Sequence, residues 1–65
     1  MTLTVNGEPR ETEAATVAEF LASRGLHARM VVVEHNGEIV PRDRYGETRL
    51  QTGDTLEIVQ MMAGG

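Results

Sequence analysis

The chain carries its most usable chemical group at its end, where Ala63-Gly64-Gly65 presents the C-terminal carboxylate. Glycine lacks a Cβ, so a terminal pair of them can thread a narrow channel and let reactants approach the acyl carbon closely. The residues beyond Met61 reach roughly 13 Å when extended, which is enough to deliver the carboxylate into another protein's active site. A free carboxylate is a poor electrophile. Transfer of its oxygen to the α-phosphorus of ATP gives an acyl adenylate with AMP as leaving group, and a sulfur nucleophile then leaves a thiocarboxylate at Gly65. The competing reading is a plain frayed end, because termini are often small and mobile.

Other reactive groups are few. His27 and His35 are the only imidazoles, and Ser23 is the only serine. His35 is flanked by Glu34 and Glu38, but adjacent strand residues point to opposite faces, so both histidines are expected to be exposed loop residues. Ser23 falls on a helix with no histidine in sequence reach. Cysteine is absent, which excludes disulfides, thiolate metal sites and thiol catalysis. Lysine is absent too, since all 6 basic residues are arginines, so no side-chain amine can attack an activated acyl group on the same chain. No phosphate loop, paired-carboxylate motif or metal-ligand spacing appears. The expectation is a protein co-substrate modified by a partner, with no catalytic residue, metal or bound cofactor of its own.

The elements that must carry this tail follow from local patterning. Leu3 and Val5 alternate with Thr2 and Thr4, a half-buried strand, and Asn6-Gly7 suits a tight hairpin turn. A return strand is expected over Glu8 to Ala14. Thr16 caps a helix with Glu19 at capping-box spacing; Val17, Phe20 and Leu21 form its apolar stripe. The helix is expected over Val17 to Arg24, with Arg24 in the last turn and Gly25 as the left-handed stop. Met30-Val31-Val32-Val33 is continuously apolar, which implies that both faces of that strand are at least partly covered.

Asn36-Gly37 makes a second turn, Glu38-Ile39-Val40 returns, and Pro41 ends the strand. Arg42 to Gly46 reads as an irregular or short helical turn with Tyr45 packed inward or against the sheet edge. Gly53-Asp54 leads into a last strand over Thr55 to Met61, with Leu56 and Ile58 on one face and Glu57, Val59 and Met61 on the other. A single helix covers one face of a sheet, so Val59 and Met61 have nothing left in the chain to cover them. The first and last strands, being most regular, are expected at the centre. The expected class is α+β, a β-grasp (ubiquitin-like) mixed sheet with one helix packed on one face, over residues 1–61, followed by a flexible tail over 62–65.

Bulk properties agree with a small domain of this kind. At 65 residues with only Phe20 and Tyr45 as aromatics, the core must be aliphatic, and there is little material for a deep cleft. The net charge of −4 argues against nucleic-acid binding, and suits a partner with a basic docking surface. No basic segment leads into a long apolar run, so a soluble cytoplasmic protein without membrane association is expected.

Leu3-Thr4-Val5-Asn6-Gly7, Thr16-Val17 with Leu21, and Val33 with Asn36-Gly37-Glu38-Ile39-Val40-Pro41-Arg42 resemble the ThiS family of sulfur carriers for thiazole synthesis in thiamine formation. Leu50, Gly53-Asp54, Leu56-Glu57-Ile58-Val59 and the Gly64-Gly65 end extend the resemblance over essentially the whole chain. It implies that Gly65 is adenylated by a ThiF-like, E1-type enzyme that uses ATP, is converted to a thiocarboxylate, and passes sulfur to a ThiG-like thiazole synthase. Ala63 and Gly64 would thread the partner's active site, and Val59, Met61 and Met62 would lie on the docking surface. Met61-Met62 departs from the aliphatic residues more usual there, and Tyr45 from a larger aromatic. The alternatives are a molybdopterin-synthase small subunit or another pathway's sulfur carrier, a ubiquitin-like modifier, and a non-covalent β-grasp binding module.

Overall fold

The computed structural model describes residues 1–61, so the expected tail over 62–65 lies outside the described residues. Strand β1 (Thr2–Val5) buries Leu3 and Val5 and leaves Thr2 and Thr4 on the other side. Asn6 and Gly7, at φ 50° and 83°, turn it into β2 (Glu8–Glu11). These are the left-handed angles that a two-residue hairpin matching the twist of its strands requires. β2 stops at Glu11 and does not reach the expected Ala14. Glu11 already lies opposite Thr2, near the start of β1, and the Thr12 Oγ1 then accepts from the Ala14 amide and bends the chain. All of β2 is exposed, as an edge strand with Pro9 can be.

Helix α1 spans Val17–Ser23, with Thr16 as its N-cap: Thr16 Oγ1 accepts from the Glu19 amide at 3.2 Å, and Glu19 reaches back to the Ala15 amide at 2.8 Å. Val17, Phe20 and Leu21 are buried beneath it. Arg24 is the C-cap, one residue past the last turn expected for it, because the helix closes early. Leu26 N–H donates to Leu21 O and Gly25 N–H to Ala22 O, the paired bonds of a Schellman stop around Gly25 at φ 70°. Arg24 then lies over the Phe20 ring, 6.0 Å from its centre.

A 3₁₀ turn (Ala28–Met30) takes up Met30, and β3 runs over Val31–His35. Asn36-Gly37 returns it as β4 (Glu38–Ile39), and Val40 N–H still donates to Val33 O before Pro41. A second 3₁₀ turn (Arg42–Arg44) brings in Tyr45, which is buried with its hydroxyl donating to Val31 O. β5 (Thr55–Gln60) ends one residue before the expected Met61, although Met61 N–H still donates to Met30 O at 2.7 Å.

The sheet order is β2-β1-β5-β3-β4, with β1 and β5 parallel and the other pairs antiparallel. This is the β-grasp arrangement, with the first and last strands adjacent at its middle. Leu3, Val17, Val33 and Leu56 have no exposed surface and form the centre of the core between helix and sheet. Val31 and Val33 are buried against α1 and Val32 is 38% exposed, so the second face of β3 is partly covered, as its continuous apolarity implied, and partly open.

Candidate functional site

The open face of the sheet is built by the alternation of β3 and β5. Val32 lies directly opposite Val59, and Glu34 opposite both Glu57 and Ile39, so these side chains share one side. Val59 is 60% exposed, Ile39 68% and Met61 42%. Val32, Val59 and Met61 thus lead along this face to the point where β5 ends, with Ile39 across Glu34 on β4. Sequence reasoning singled out Val59 and Met61 and missed Val32 and Ile39. The available signal was that Val31 and Val33 use the inner face, which leaves Val32 facing out.

Glu34 and Glu57 stand side by side on the same face, and like charges placed directly across a ladder repel. Among the described residues neither has a salt-bridge partner. An apolar patch beside two unneutralised carboxylates fits an apolar surface bordered by basic residues. Met62, Ala63, Gly64 and Gly65 lie outside the described residues; the chain heads towards them from Met61, at the end of the patch.

Of the remaining reactive side chains, Ser23 and His35 are engaged structurally. Ser23 Oγ donates to Phe20 O at 2.7 Å within the helix. His27 is exposed, as expected. His35 corrects the expectation of an exposed loop residue: it is half-buried, with Nε2 2.7 Å from Asp54 Oδ2. A carboxylate can only accept, so Nε2 carries the proton of that bond. Asp54 also accepts from the Gln51 amide at 2.9 Å and from Asn36 Nδ2 at 3.3 Å. Burial works to raise the Asp54 pKa, but the hydrogen bonds from His35, Gln51 and Asn36 and the attraction of His35 outweigh it and hold the carboxyl below its ordinary 3.8. The pair fastens the β3–β4 turn to the turn before β5, at the end of β5 opposite Met61. The residues lie 19 apart in sequence, which is why neighbour-based reasoning missed them.

Among the described residues no group of three or more histidine, aspartate or glutamate side chains could hold a metal ion, and no helix is long and apolar enough to cross a membrane.

Comparison with known proteins is consistent in direction. The pattern defining the ThiS family matches residues 3–65. The chain is 40% identical over 53 residues to the sulfur carrier protein ThiS of Bacillus subtilis, covering 82% of this chain and 80% of that protein. It is 44% identical over 66 residues to a thiazole synthase of Paramagnetospirillum magneticum, covering all of this chain but 20% of that protein. The chain therefore spans about a fifth of that relative, and a second thiazole synthase, from Magnetococcus marinus, is matched over the same 20% share. Among solved structures, a thiamine biosynthesis protein (ThiS) from Geobacter metallireducens superimposes with a TM-score of 0.83 at 38% identity, over the full length of both chains.

Proposed function

The chain belongs to the ThiS family, and from that premise we propose that it is a sulfur carrier for thiazole formation in thiamine biosynthesis, acting as a protein co-substrate and not as an enzyme. The carboxylate of Gly65 attacks the α-phosphorus of ATP in the active site of a ThiF-like adenylating enzyme, and pyrophosphate leaves. Hydrosulfide, as the simplest sulfur nucleophile, attacks the resulting acyl carbon; the C–O bond to AMP breaks, and a thiocarboxylate remains. No oxidant or reductant is consumed with that nucleophile. ATP belongs to the partner enzyme, and its use suits a cytoplasmic setting.

The observation that carries this reading is the placement of the open apolar face. Val32, Ile39, Val59 and Met61 lie on the surface where β5 hands the chain to the tail. A partner seated on that face would have Ala63 and Gly64 threaded towards its active site, with Val59, Met61 and Met62 in the docking surface. Glu34 and Glu57 would meet basic groups of the partner. A ThiG-like thiazole synthase is the proposed acceptor of the sulfur, a reading supported by the thiazole synthases that contain a stretch similar to this chain.

Removal of Gly65 tests the reading. A chain ending at Gly64 is expected to fold as the native chain does and to lose sulfur transfer entirely. Retained transfer would overturn the proposal and favour a non-covalent binding role for the open face.

A further inference from the structure

The two Asn-Gly turns do more than reverse the chain, because each asparagine side chain also bonds to β5. β1 turns away at Asn6, and its ladder with β5 reaches only Val5 opposite Leu56. Thr4 N–H donates to Asp54 O and Asn6 N–H to Leu56 O, so the even-numbered residues of β5 turn their peptide groups towards β1. Asn36 N–H donates to Thr55 O and Met61 N–H to Met30 O, so the odd-numbered ones serve β3. The next even-numbered residue, Ile58, has no β1 backbone left to pair with. The Asn6 side chain takes that place: its Oδ1 accepts from Ile58 N–H at 2.7 Å and its Nδ2 donates to Ile58 O at 3.1 Å. One primary amide thus reproduces both bonds of a strand residue. Aspartate could not, because it has no donor for the carbonyl.

We propose that Asn6 is a positioning residue for the C-terminal tail: its amide is the last rung on the β1 side of β5 among the described residues, and by holding Ile58 on that side, while the bond from Met61 N–H to Met30 O holds the β3 side, it steadies the strand end from which the tail is presented to the partner's active site. The inference rests on the sulfur-carrier reading and adds a residue remote in sequence to its machinery. Catalysis at a terminal carboxylate depends on presenting it in line with the reacting phosphorus, and small misplacements of a reacting group cost large factors in rate. Asn6 acts through the backbone only and touches no reacting atom.

Asn36 provides an internal control. It has nearly the same backbone angle, φ 52° against 50° for Asn6, and its Oδ1 accepts from Thr55 N–H at 2.8 Å. It therefore holds β5 at the opposite end, away from the tail. Asn6→Gly removes both bonds to Ile58, Asn36→Gly removes the bond from Thr55 and the one to Asp54, and both retain a residue that tolerates positive φ. Both variants should lose comparable stability, but only the first should loosen the tail root.

The test is steady-state adenylation of the full chain by the ThiF-like enzyme with ATP, measured well below the melting temperature of both variants, together with amide hydrogen exchange on the free chains. Asn6→Gly is expected to lower kcat by about tenfold with little change in KM, because the docking face is untouched, and to speed exchange at Ile58. Asn36→Gly is expected to retain the native kcat and to speed exchange at Thr55 instead. Equal kcat for the two variants, or native exchange at Ile58 in Asn6→Gly, would overturn the inference while leaving the carrier reading standing. A native chain that the enzyme leaves unmodified would overturn the carrier reading and the inference with it.

Discussion

Val59→Ala removes two methyl groups from a side chain that is 60% exposed on the free protein. Most of that apolar surface is already in water, so the free chain should lose about 0.5 kcal/mol or less, the usual scale for surface changes. Burial against a partner is worth about 0.8 kcal/mol per methyl-sized group. Scaling by the exposed fraction gives about 1 kcal/mol of docking free energy lost, a rise of roughly fivefold in KM for the adenylating enzyme. Val32, directly opposite, shares the patch, so Val32→Ala should act in the same direction and fail to add fully with Val59→Ala. The core provides the contrast: Leu56 has no exposed surface, and Leu56→Ala should cost about 2–5 kcal/mol of stability while leaving KM per folded molecule unchanged. Urea unfolding and adenylation kinetics on the same preparations separate the two effects. A native KM for both Val59→Ala and the bulkier, charged Val59→Arg would refute the assignment of this face to docking.

Further outcomes follow from particular bonds. The folded-state pKa of Asp54 lies below its ordinary 3.8, so its contribution is fully present above about pH 4 and is lost as pH falls through the depressed value. Acid titration of stability should therefore show a weaker fall below pH 4 in Asp54→Asn than in the native chain, and parallel curves would refute that role. Thr16→Ala removes the cap on the Glu19 amide, and should lower stability by about 1 kcal/mol in urea unfolding without altering adenylation per folded molecule. At about 0.05–0.15 kcal/mol per residue for a typical domain, that is a sizeable share of what so short a chain can have.

The parts of the fold legible in the sequence are those set by neighbours. Leu3 and Val5, the Asn-Gly turns, and the Thr16 cap with Glu19 depend on residues within a few positions, and each appears as expected. Element ends were less legible because they depend on partners distant in sequence. β2 stops where β1 has little left to pair with, and α1 closes when Leu26 finds Leu21. The site was half legible. Val59 and Met61 follow from alternation in one strand, whereas Val32 and Ile39 join them only once the sheet order is known. The clamp from Asn6 to Ile58 spans 52 positions, and no local pattern announces it. In the sequence Asn6 has a sufficient explanation as a turn residue, which hides its second task.

Intact mass of the full chain, after incubation with ATP, a sulfide source and the ThiF-like adenylating enzyme, tests the central claim most directly. The account predicts a gain equal to one exchange of oxygen for sulfur, localised by fragmentation to Gly65. An unchanged mass, with the same enzyme active on another carrier, would contradict it.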